Sequence, residues 1–374
     1  MIFCENCFID SEIIARIKYN SEEDLNIPQQ KGNCPICNSS DKVLYNTDSR
    51  VGLNNIFDPL FDLYSAIEEL PPDFPEHEKK YLYDDLLKNW NIFNPALGKE
   101  KIKYIIQNIS EEYYVKKPAI FSEKVGITGK IEADNLASHS LVKTKTWDDF
   151  VIALKTNNRF HTKSINEDVL SRYCSFLEKR YKKGQKFFRG RISKTNNGYG
   201  VLEMGAPSFE FAKAGRANAE GIRHLYLASD DKTTIHEVRA GAYDIISVGI
   251  FELQRDVVVV DFQRLDKIYP FAEGINLLEY AMNVEHFKKM NQEMSKTLRR
   301  DDSHLDYIST QFIADCIKSF QGENSEQLYR GIEYQSTMNK DGYNLVAFYP
   351  EDFICISVKT VFVTDIQYKY DIAQ

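Results

Sequence analysis

The stretch Ala214–Gly241, AGRANAEGIRHLYLASDDKTTIHEVRAG, passes from a loop of small residues into two regular elements. The run RHLYLAS predicts a strand, and DDKTTIHEVRA predicts a helix. Gly, Ala and Asn dominate the loop, which lets the backbone approach a ligand closely. Further along, IISVGIFEL and VVVVDF predict strands rich in β-branched residues. We therefore expect a mixed α+β domain around this stretch.

Other patterns extend this domain over residues 184–374. KFFRGRI, GIEYQST and NLVAFYP predict strands, and ISVKTVFVTDIQYKY predicts one or two more. GINLLEYAMNVEHFKKM and YISTQFIADCIKSF predict helices. Residues 49–183 are predicted to be largely helical, because apolar residues recur at helical spacing in LFDLYSAIEEL, HEKKYLYDDLLKNW and EDVLSRYCSFLEKRY. Residues 116–140 within this range predict a loop. The expected domains are thus 1–48, 49–183 and 184–374.

Composition narrows the class of protein. The net charge of −8 argues against a general nucleic-acid binder, which would show a basic surface. No apolar run approaches the length of a membrane span, and the N-terminal MIFCENCFID lacks the features of a secretion signal. Seven cysteines without such a signal indicate a reducing compartment. We expect a cytoplasmic protein without a membrane partner, and nucleic acid is not an expected partner.

Four cysteines of residues 1–48 form two Cys-x-x-Cys pairs. Cys4 and Cys7 make the first pair, and Cys34 and Cys37 make the second, with twenty-six residues between the pairs. Two such knuckles supply the four thiolates of a tetrahedral zinc site. Using all four sulfurs leaves no open position, so the predicted Zn²⁺ is structural; a redox pair or chance spacing is the alternative.

Three residues of the opening stretch have the chemistry to cut a nicotinamide–ribose bond. The Arg216 guanidinium suits phosphate or sugar oxygens, and the Tyr226 ring suits a flat ring. The Glu237 carboxylate can stabilise a cationic ribosyl centre or orient a nucleophile. Each also has a structural interpretation: a solvated cation, a core aromatic, and a helix-capping box with Thr234.

The motifs GRAN, LYLAS, TTIHEVRA and GIEYQST stand in the order and at the separations of one family. They resemble the RES-domain family, the toxins of bacterial RES–Xre toxin–antitoxin systems. The resemblance covers roughly residues 184–350 and implies an ADP-ribosyltransferase-like fold that takes NAD⁺ as substrate. Its four catalytic positions correspond here to Arg216, Tyr226, Glu237 and Ser336. Substrate-binding candidates come from FFRGR and GRAN: Arg189, Arg191 and Asn218.

Members of this family cleave NAD⁺ by hydrolysis or phosphorolysis, or transfer ADP-ribose to a macromolecule. The resemblance therefore implies an NAD⁺ glycohydrolase or phosphorylase acting in growth arrest or phage defence. An ADP-ribosyltransferase or a non-enzymatic nucleotide-sensing module stays open as an alternative. An antitoxin or trigger protein is the implied partner, and a homo-oligomer is possible. No G-x-G-x-x-G follows a predicted strand, so NAD⁺ is expected as a substrate and not as a hydride carrier.

The N-terminal part resembles the zinc-ribbon and helical extension related to HEPN proteins that occurs beside RES domains. HEPN ribonucleases carry an Arg followed four to six residues later by a His. No such pair occurs between residues 49 and 183. We therefore expect a regulatory helical domain without nuclease activity.

Overall fold

The computed structural model describes residues 1–18, 31–48, 52–144, 146–159, 161, 163–296, 304–322 and 326–367. Helices cover Ser11–Lys18 (α1), Asn54–Phe61 (α2), Leu82–Lys88 (α3), Lys99–Ile109 (α4), Glu111–Lys116 (α5), Ala119–Ser122 (α6), Ala133–His139 (α7), Trp147–Thr156 (α8), Glu167–Phe176 (α9), Asp231–Glu237 (α10), Leu277–Ser295 (α11) and Ile308–Ser319 (α12). Strands cover Ile2–Cys4 (β1), Lys31–Gly32 (β2), Lys42–Asn46 (β3), Ser65–Ala66 (β4), Lys80–Tyr81 (β5), Lys124–Gly126 (β6), Glu178–Tyr181 (β7), Lys186–Ile192 (β8), Leu225–Ala228 (β9), Ile245–Leu253 (β10), Val257–Asp261 (β11), Gly331–Gln335 (β12), Tyr343–Ala347 (β13) and Phe353–Phe362 (β14). The prediction of an α+β protein is confirmed.

The chain divides into two compact units. The first comprises Met1–Lys143 with Lys267–Glu285, and the second comprises Thr144–Asp266 with His286–Gln374. None of the helices among the described residues combines the length and apolar character needed to cross a bilayer. The proposed three-domain boundaries at residues 48 and 183 stay a prediction.

An eight-stranded sheet organises the second unit. Its order is β14-β10-β8-β9-β13-β12-β11-β7, and all neighbours are antiparallel except β11 and β12. Successive residues of a strand point to opposite faces, so Leu225 and Leu227 enter the core while Tyr226 faces the other side. Phe187 from β8 and Phe251 from β10 belong to the same core cluster.

The first unit joins the cysteine-bearing ribbon to helices. Strands β1, β3 and β2 form the ribbon sheet, and β4, β6 and β5 form a second small sheet. Ring centroids of Phe8 and Phe93 lie 5.1 Å apart, and those of Phe57 and Phe93 lie 6.4 Å apart. The backbone N–H of Asn94 donates to the Cys7 carbonyl at 3.0 Å. The ribbon therefore shares its core with the helical region that follows it.

Three helix predictions were wrong in extent. Helix α2 ends at Phe61, and the following Ser65–Ala66 pairs with β6. Helix α9 ends at Phe176, and Glu178–Tyr181 pairs with β11. Similarly, Lys80–Tyr81 pairs with β6 just before α3 begins. In each case a segment whose apolar spacing resembles that of a helix forms a strand, because it pairs with a strand distant in the sequence.

The segment 116–140 also differs from its prediction as a loop. It contains helices α6 and α7 and strand β6. Strand β6 forms the centre of its three-stranded sheet, and the backbone of Gly126 lies against Phe74. Only a glycine fits there without displacing the Phe74 ring, because an added Cβ would stand 2.5 Å from the ring atom Cζ.

Candidate functional site

The candidate site lies where the large sheet opens between β8 and β9. These two strands pair only at Phe188 and Ala228, whereas β8 pairs with β10 from Lys186 to Ile192. Beyond Phe188 the ladder between β8 and β9 is missing. Arg189 spans the opening, since its Nη1 donates to the carbonyl of Tyr226 at 3.2 Å. The opening exposes side chains and backbone from both strands.

Helix α10 closes one side of this opening. Its N-terminus is capped by Asp230, whose side chain accepts from the backbone N–H of Thr233 at 2.7 Å. The alternative capping box of Thr234 with Glu237 is therefore wrong, because Glu237 ends the helix. Gly190 on β8 permits the contact with α10, since an added Cβ would lie 2.7 Å from the Thr234 methyl group.

The Glu237 carboxylate is held by two donors from other strands. Its Oε1 accepts from Ser336 Oγ at 2.5 Å and from Asn344 Nδ2 at 2.8 Å. Ser336 is buried and also accepts from the backbone N–H of Asn339 at 3.1 Å. The hydroxyl hydrogen of Ser336 is thus directed at Glu237, so this serine orients the carboxylate.

A cavity of about 300 Å³ contains this carboxylate. Glu237 supplies an acidic group to its wall, and Arg189 supplies a basic one. The remaining lining is largely apolar or aromatic: Phe188, Gly190, Tyr226, Leu227, Ala228, Thr234, Val238, Tyr334 and Asn344. A flat ring and a sugar are therefore compatible with the character of this cavity.

The loop of small residues anchors Tyr226 in the cavity wall. The Tyr226 hydroxyl donates to Asn218 Oδ1 at 2.6 Å and accepts from the backbone N–H of Ala217 at 3.1 Å. Burial, then the nearby Tyr334, raises the pKa of Tyr226 well above its usual range. Gly215 must be a glycine because an added Cβ would lie 2.6 Å from the Tyr226 hydroxyl. The phenol is therefore a fixed neutral group.

Asn218 is buried inside the loop. Its Nδ2 lies 2.9–3.0 Å from the carbonyl oxygens of Lys213, Ala219 and Ile222, which share its two N–H donors. Its Oδ1 accepts from Tyr226. The structure thus places the side chain as an organiser of the loop, one step removed from the cavity.

Arg216 lies beside the cavity but is not part of its lining. Its Nη1 donates to the carbonyl of Glu293 at 2.9 Å and its Nη2 to that of Lys296 at 2.6 Å. Glu293 lies in the last turn of α11 and Lys296 directly follows the helix, at the end where the helix dipole favours a cation. The guanidinium carbon is 5.7 Å from the centroid of Tyr334, a ring that does line the cavity. Arg216 therefore links the loop to the end of α11 and lies next to Tyr334, outside the cavity lining.

Arg189 and Arg191, both on β8, place two guanidinium groups beside the opening between β8 and β9. Burial, then the neighbouring Arg191, lowers the pKa of Arg189 to about 10, so it stays charged at neutral pH. Its Nε is buried and has no hydrogen-bond partner. The guanidinium of Arg191 stacks on the Tyr199 ring at 4.2 Å and donates to the carbonyl of Glu203. The two arginines line a second cavity of about 210 Å³.

The four N-terminal cysteines gather in the first unit. Their sulfur atoms all lie within 4.8 Å of one another, with Cys4 and Cys37 at 3.5 Å and Cys7 and Cys34 at 3.7 Å. Four sulfurs bound tetrahedrally to zinc are separated by about 3.8 Å, so the arrangement fits a metal ion. Burial raises the pKa of Cys4 to about 12, and a cation would offset this cost of ionisation. Residues 19–30 of the predicted ribbon lie outside the described residues.

The other cysteines, Cys174, Cys316 and Cys355, are buried as small apolar groups, as predicted.

Sequence patterns missed two residues of the candidate site. Asn344 holds Glu237, and Tyr334 forms the wall in front of Arg216. These two residues face each other across β12 and β13. Tyr334 lies in the predicted strand GIEYQST two residues before Ser336, and strand alternation places the two side chains on the same face. Asn344 carries no signal in the sequence because its role depends on the register of two strands.

Comparison with known proteins identifies one family. Residues 191–371 match the family described as the RES domain. No curated protein and no solved structure matches this chain.

Proposed function

The chain carries a RES domain over residues 191–371 and so belongs to the RES-domain family, and we propose that it cleaves the nicotinamide–ribose bond of NAD⁺. One observation carries the proposal. The Glu237 carboxylate, oriented by Ser336 and Asn344, stands in the same cavity as the Tyr226 and Tyr334 rings. An anion beside aromatic rings suits a substrate that is a cationic ring attached to a sugar.

Cleavage of the nicotinamide–ribose bond requires stabilisation of the developing positive charge more than it requires an acid catalyst. When the bond between the ring nitrogen and ribose C1′ breaks, its electron pair stays with nicotinamide, which leaves as a neutral ring. Positive charge develops at C1′ and on the ring oxygen of the ribose. The Glu237 carboxylate would stabilise this charge, and preorganised groups of this kind act without reorganising during the reaction. An attacking water adds its hydroxyl to C1′ and releases one proton.

Other side chains would position the substrate. Tyr226 would offer its ring face to nicotinamide, and Ser336 and Asn344 would aim the carboxylate. Arg189 and Arg191 would bind the pyrophosphate, for which guanidinium groups have a matching fork of donors. Arg216 would hold the loop and add positive potential behind Tyr334, and Asn218 would act by fixing Tyr226.

The biological setting implied by the family is that of a toxin controlled by a partner protein. Depletion of NAD⁺ would arrest growth, in a toxin–antitoxin pair or in defence against phage. An antitoxin or a trigger protein would then regulate the cavity. Expression of the wild-type chain should arrest growth, and Glu237→Gln should relieve that arrest. Equal arrest by both chains would separate toxicity from NAD⁺ cleavage.

In the N-terminal ribbon, Cys4, Cys7, Cys34 and Cys37 would hold one zinc ion. The ion would supply a structural cross-link, since four thiolates complete its coordination. It would also contribute to the folding free energy of a segment with few core residues of its own.

A direct assay tests the proposed reaction. Purified chain is incubated with NAD⁺, and free nicotinamide is measured by chromatography with and without added phosphate. Hydrolysis releases ADP-ribose, phosphorolysis releases its 1″-phosphate, and an ADP-ribosyltransferase labels a macromolecule in a cell extract. The absence of nicotinamide release under all three conditions would overturn the proposal. NAD⁺ binding without release would then indicate a nucleotide-sensing module.

A further inference from the structure

Two side chains at the start of helix α12 bind the backbone of the loop that anchors Tyr226. Thr310 Oγ1 donates to the carbonyl of Arg216 at 2.6 Å, and Gln311 Nε2 donates to the carbonyl of Gly215 at 2.8 Å. Both residues lie in the first turn of α12, 94 and 96 positions from the loop residues that they bind. Two successive carbonyls of the loop are therefore fixed by two successive side chains of one helix.

The carbonyl that Thr310 binds belongs to the same peptide group as the N–H that binds Tyr226. That peptide group joins Arg216 to Ala217, and the N–H of Ala217 donates to the Tyr226 hydroxyl at 3.1 Å. The peptide is trans, so its C=O and N–H point in opposite directions from one rigid plane. Rotation of that plane would break both hydrogen bonds at once. Thr310 therefore orients the donor that the phenol accepts.

These two bonds are part of one continuous chain of hydrogen bonds. The chain runs from the Thr310 hydroxyl through the peptide group to the Tyr226 hydroxyl, which donates to Asn218 Oδ1 at 2.6 Å. Each donor in such a chain is strengthened by the bond that its own group accepts. The Thr310 hydrogen is shared with the carbonyl of Tyr307 at 3.0 Å, but the shorter distance is the one to the loop. Thr310 thus polarises the chain as well as fixing its geometry.

The hydrogen bonds of this chain are buried. The exposed fractions of Thr310, Ala217 and Asn218 are 1%, 0% and 3%. A buried carbonyl that loses its donor has no solvent to replace it, so the loss has to be met by a change of conformation. The peptide group before Ala217 would rotate to find another donor, and its N–H would then leave Tyr226.

The neighbouring Ser309 shows that burial alone does not produce such a contact. Ser309 is 1% exposed, as Thr310 is, yet its Oγ has no hydrogen-bond partner among the described residues. Two adjacent hydroxyls of the same helical turn therefore have equal burial and different bonding. The Thr310 hydroxyl reaches the loop, and Ser309 supplies a matched control.

We propose that Thr310, assisted by Gln311, is a positioning residue for the candidate site and acts on the substrate through the Tyr226 ring. Its hydroxyl holds the peptide group between Arg216 and Ala217 in the orientation that fixes the phenol. The phenol in turn fixes the ring in the cavity wall. The consequence for catalysis rests on the proposed function, which takes Tyr226 as the surface for nicotinamide. The positioning itself does not depend on the reaction.

The first test replaces Thr310 by Val, which preserves the shape of the side chain and removes the hydroxyl. With NAD⁺ as substrate, kcat/KM of Thr310→Val should fall at least about tenfold, the equivalent of about 1.4 kcal/mol. Ser309→Ala removes a hydroxyl without a partner and should keep kcat/KM within about threefold of the wild type. Thr310→Ser restores the hydroxyl and should restore kcat/KM to the same range. Equal kcat/KM for folded Thr310→Val and the wild type would overturn the proposal.

Hydrogen exchange of the Ala217 amide gives a second measurement that does not need turnover. NMR of chains with isotope-labelled alanine should show this amide exchanging at least about tenfold faster in Thr310→Val than in the wild type or Ser309→Ala. If this pattern holds while no chain releases nicotinamide from NAD⁺, the reaction is wrong and the positioning stands. An equal exchange rate in all three folded chains would refute the positioning.

A double-mutant cycle distinguishes an effect through Tyr226 from a general loss of stability. Tyr226→Phe lacks the hydroxyl that accepts the Ala217 N–H, so adding Thr310→Val to it should lower kcat/KM by less than about threefold. The same loss in both backgrounds would contradict the route through Tyr226. If Thr310→Val does not fold, Gln311→Met removes the neighbouring donor at a half-buried position. Gln311→Met then takes its place in all three measurements, with the same outcomes for and against the proposal.

Discussion

Replacing Glu237 by Gln removes one negative charge from the cavity wall and preserves the shape of the side chain. Glu237 Oε1 accepts from Ser336 Oγ and Asn344 Nδ2, and the amide oxygen of Gln can accept the same two bonds. Hydrogen bonds to a charged acceptor exceed neutral ones by about 1 kcal/mol each. The free energy of unfolding should therefore fall by no more than about 2 kcal/mol.

The effect on turnover should be larger than the effect on stability. The charge that Glu237 would stabilise develops only as the ribosyl bond breaks, so its loss raises the barrier more than it weakens substrate binding. A preorganised electrostatic group of this kind contributes about 3 kcal/mol. Because about 1.4 kcal/mol corresponds to a tenfold change in rate, kcat should fall about 150-fold.

The assay is nicotinamide release at saturating NAD⁺, with urea unfolding measured on the same preparations. Glu220→Gln is the matched control, since it makes the same chemical change at an exposed residue of the preceding loop. The control should retain wild-type turnover and stability. If Glu237→Gln keeps kcat within about threefold of the wild type, the assigned charge stabilisation is refuted. If Glu237→Gln is inactive because it is unfolded, Glu237→Asp tests whether restoring the charge restores activity.

Asp230→Ala removes the cap of α10 and should lower the free energy of unfolding by about 1 kcal/mol in urea denaturation; a large loss of activity without that destabilisation would contradict the capping role. Cys34→Ser should abolish the single equivalent of zinc found by metal analysis, whereas Cys355→Ser should keep it; metal-free wild type would refute the zinc site. Burial, then the neighbouring Lys318, lowers the pKa of His224 to about 4. The unfolded histidine binds its proton at about pH 6.5, so stability is lost as the pH falls from there toward 4. Between pH 7 and pH 5 the wild type should lose about 2 kcal/mol that a His224→Phe variant does not lose, and parallel pH profiles would contradict this.

Local sequence patterns predicted most helices and strands of the second unit. The strand that contains Tyr226 and the helix that ends at Glu237 follow from alternation and periodicity in the stretch Ala214–Gly241. The cysteine spacing likewise anticipated the cluster of four sulfurs. Patterns were less successful in the first unit, where short strands pair with distant partners.

The sequence by itself determined the α+β class, the cysteine knuckles and the residue types of the candidate site, because each depends on neighbours within a few positions. Tertiary structure alone decided which of those residues share a cavity. The register of β12 with β13 brings Asn344 to Glu237, and the missing ladder between β8 and β9 opens the space that Arg189 spans. Tertiary structure also placed Arg216 against the end of α11 and not in the cavity lining. Strand register and chain closure join residues about a hundred positions apart, and no local pattern encodes that distance.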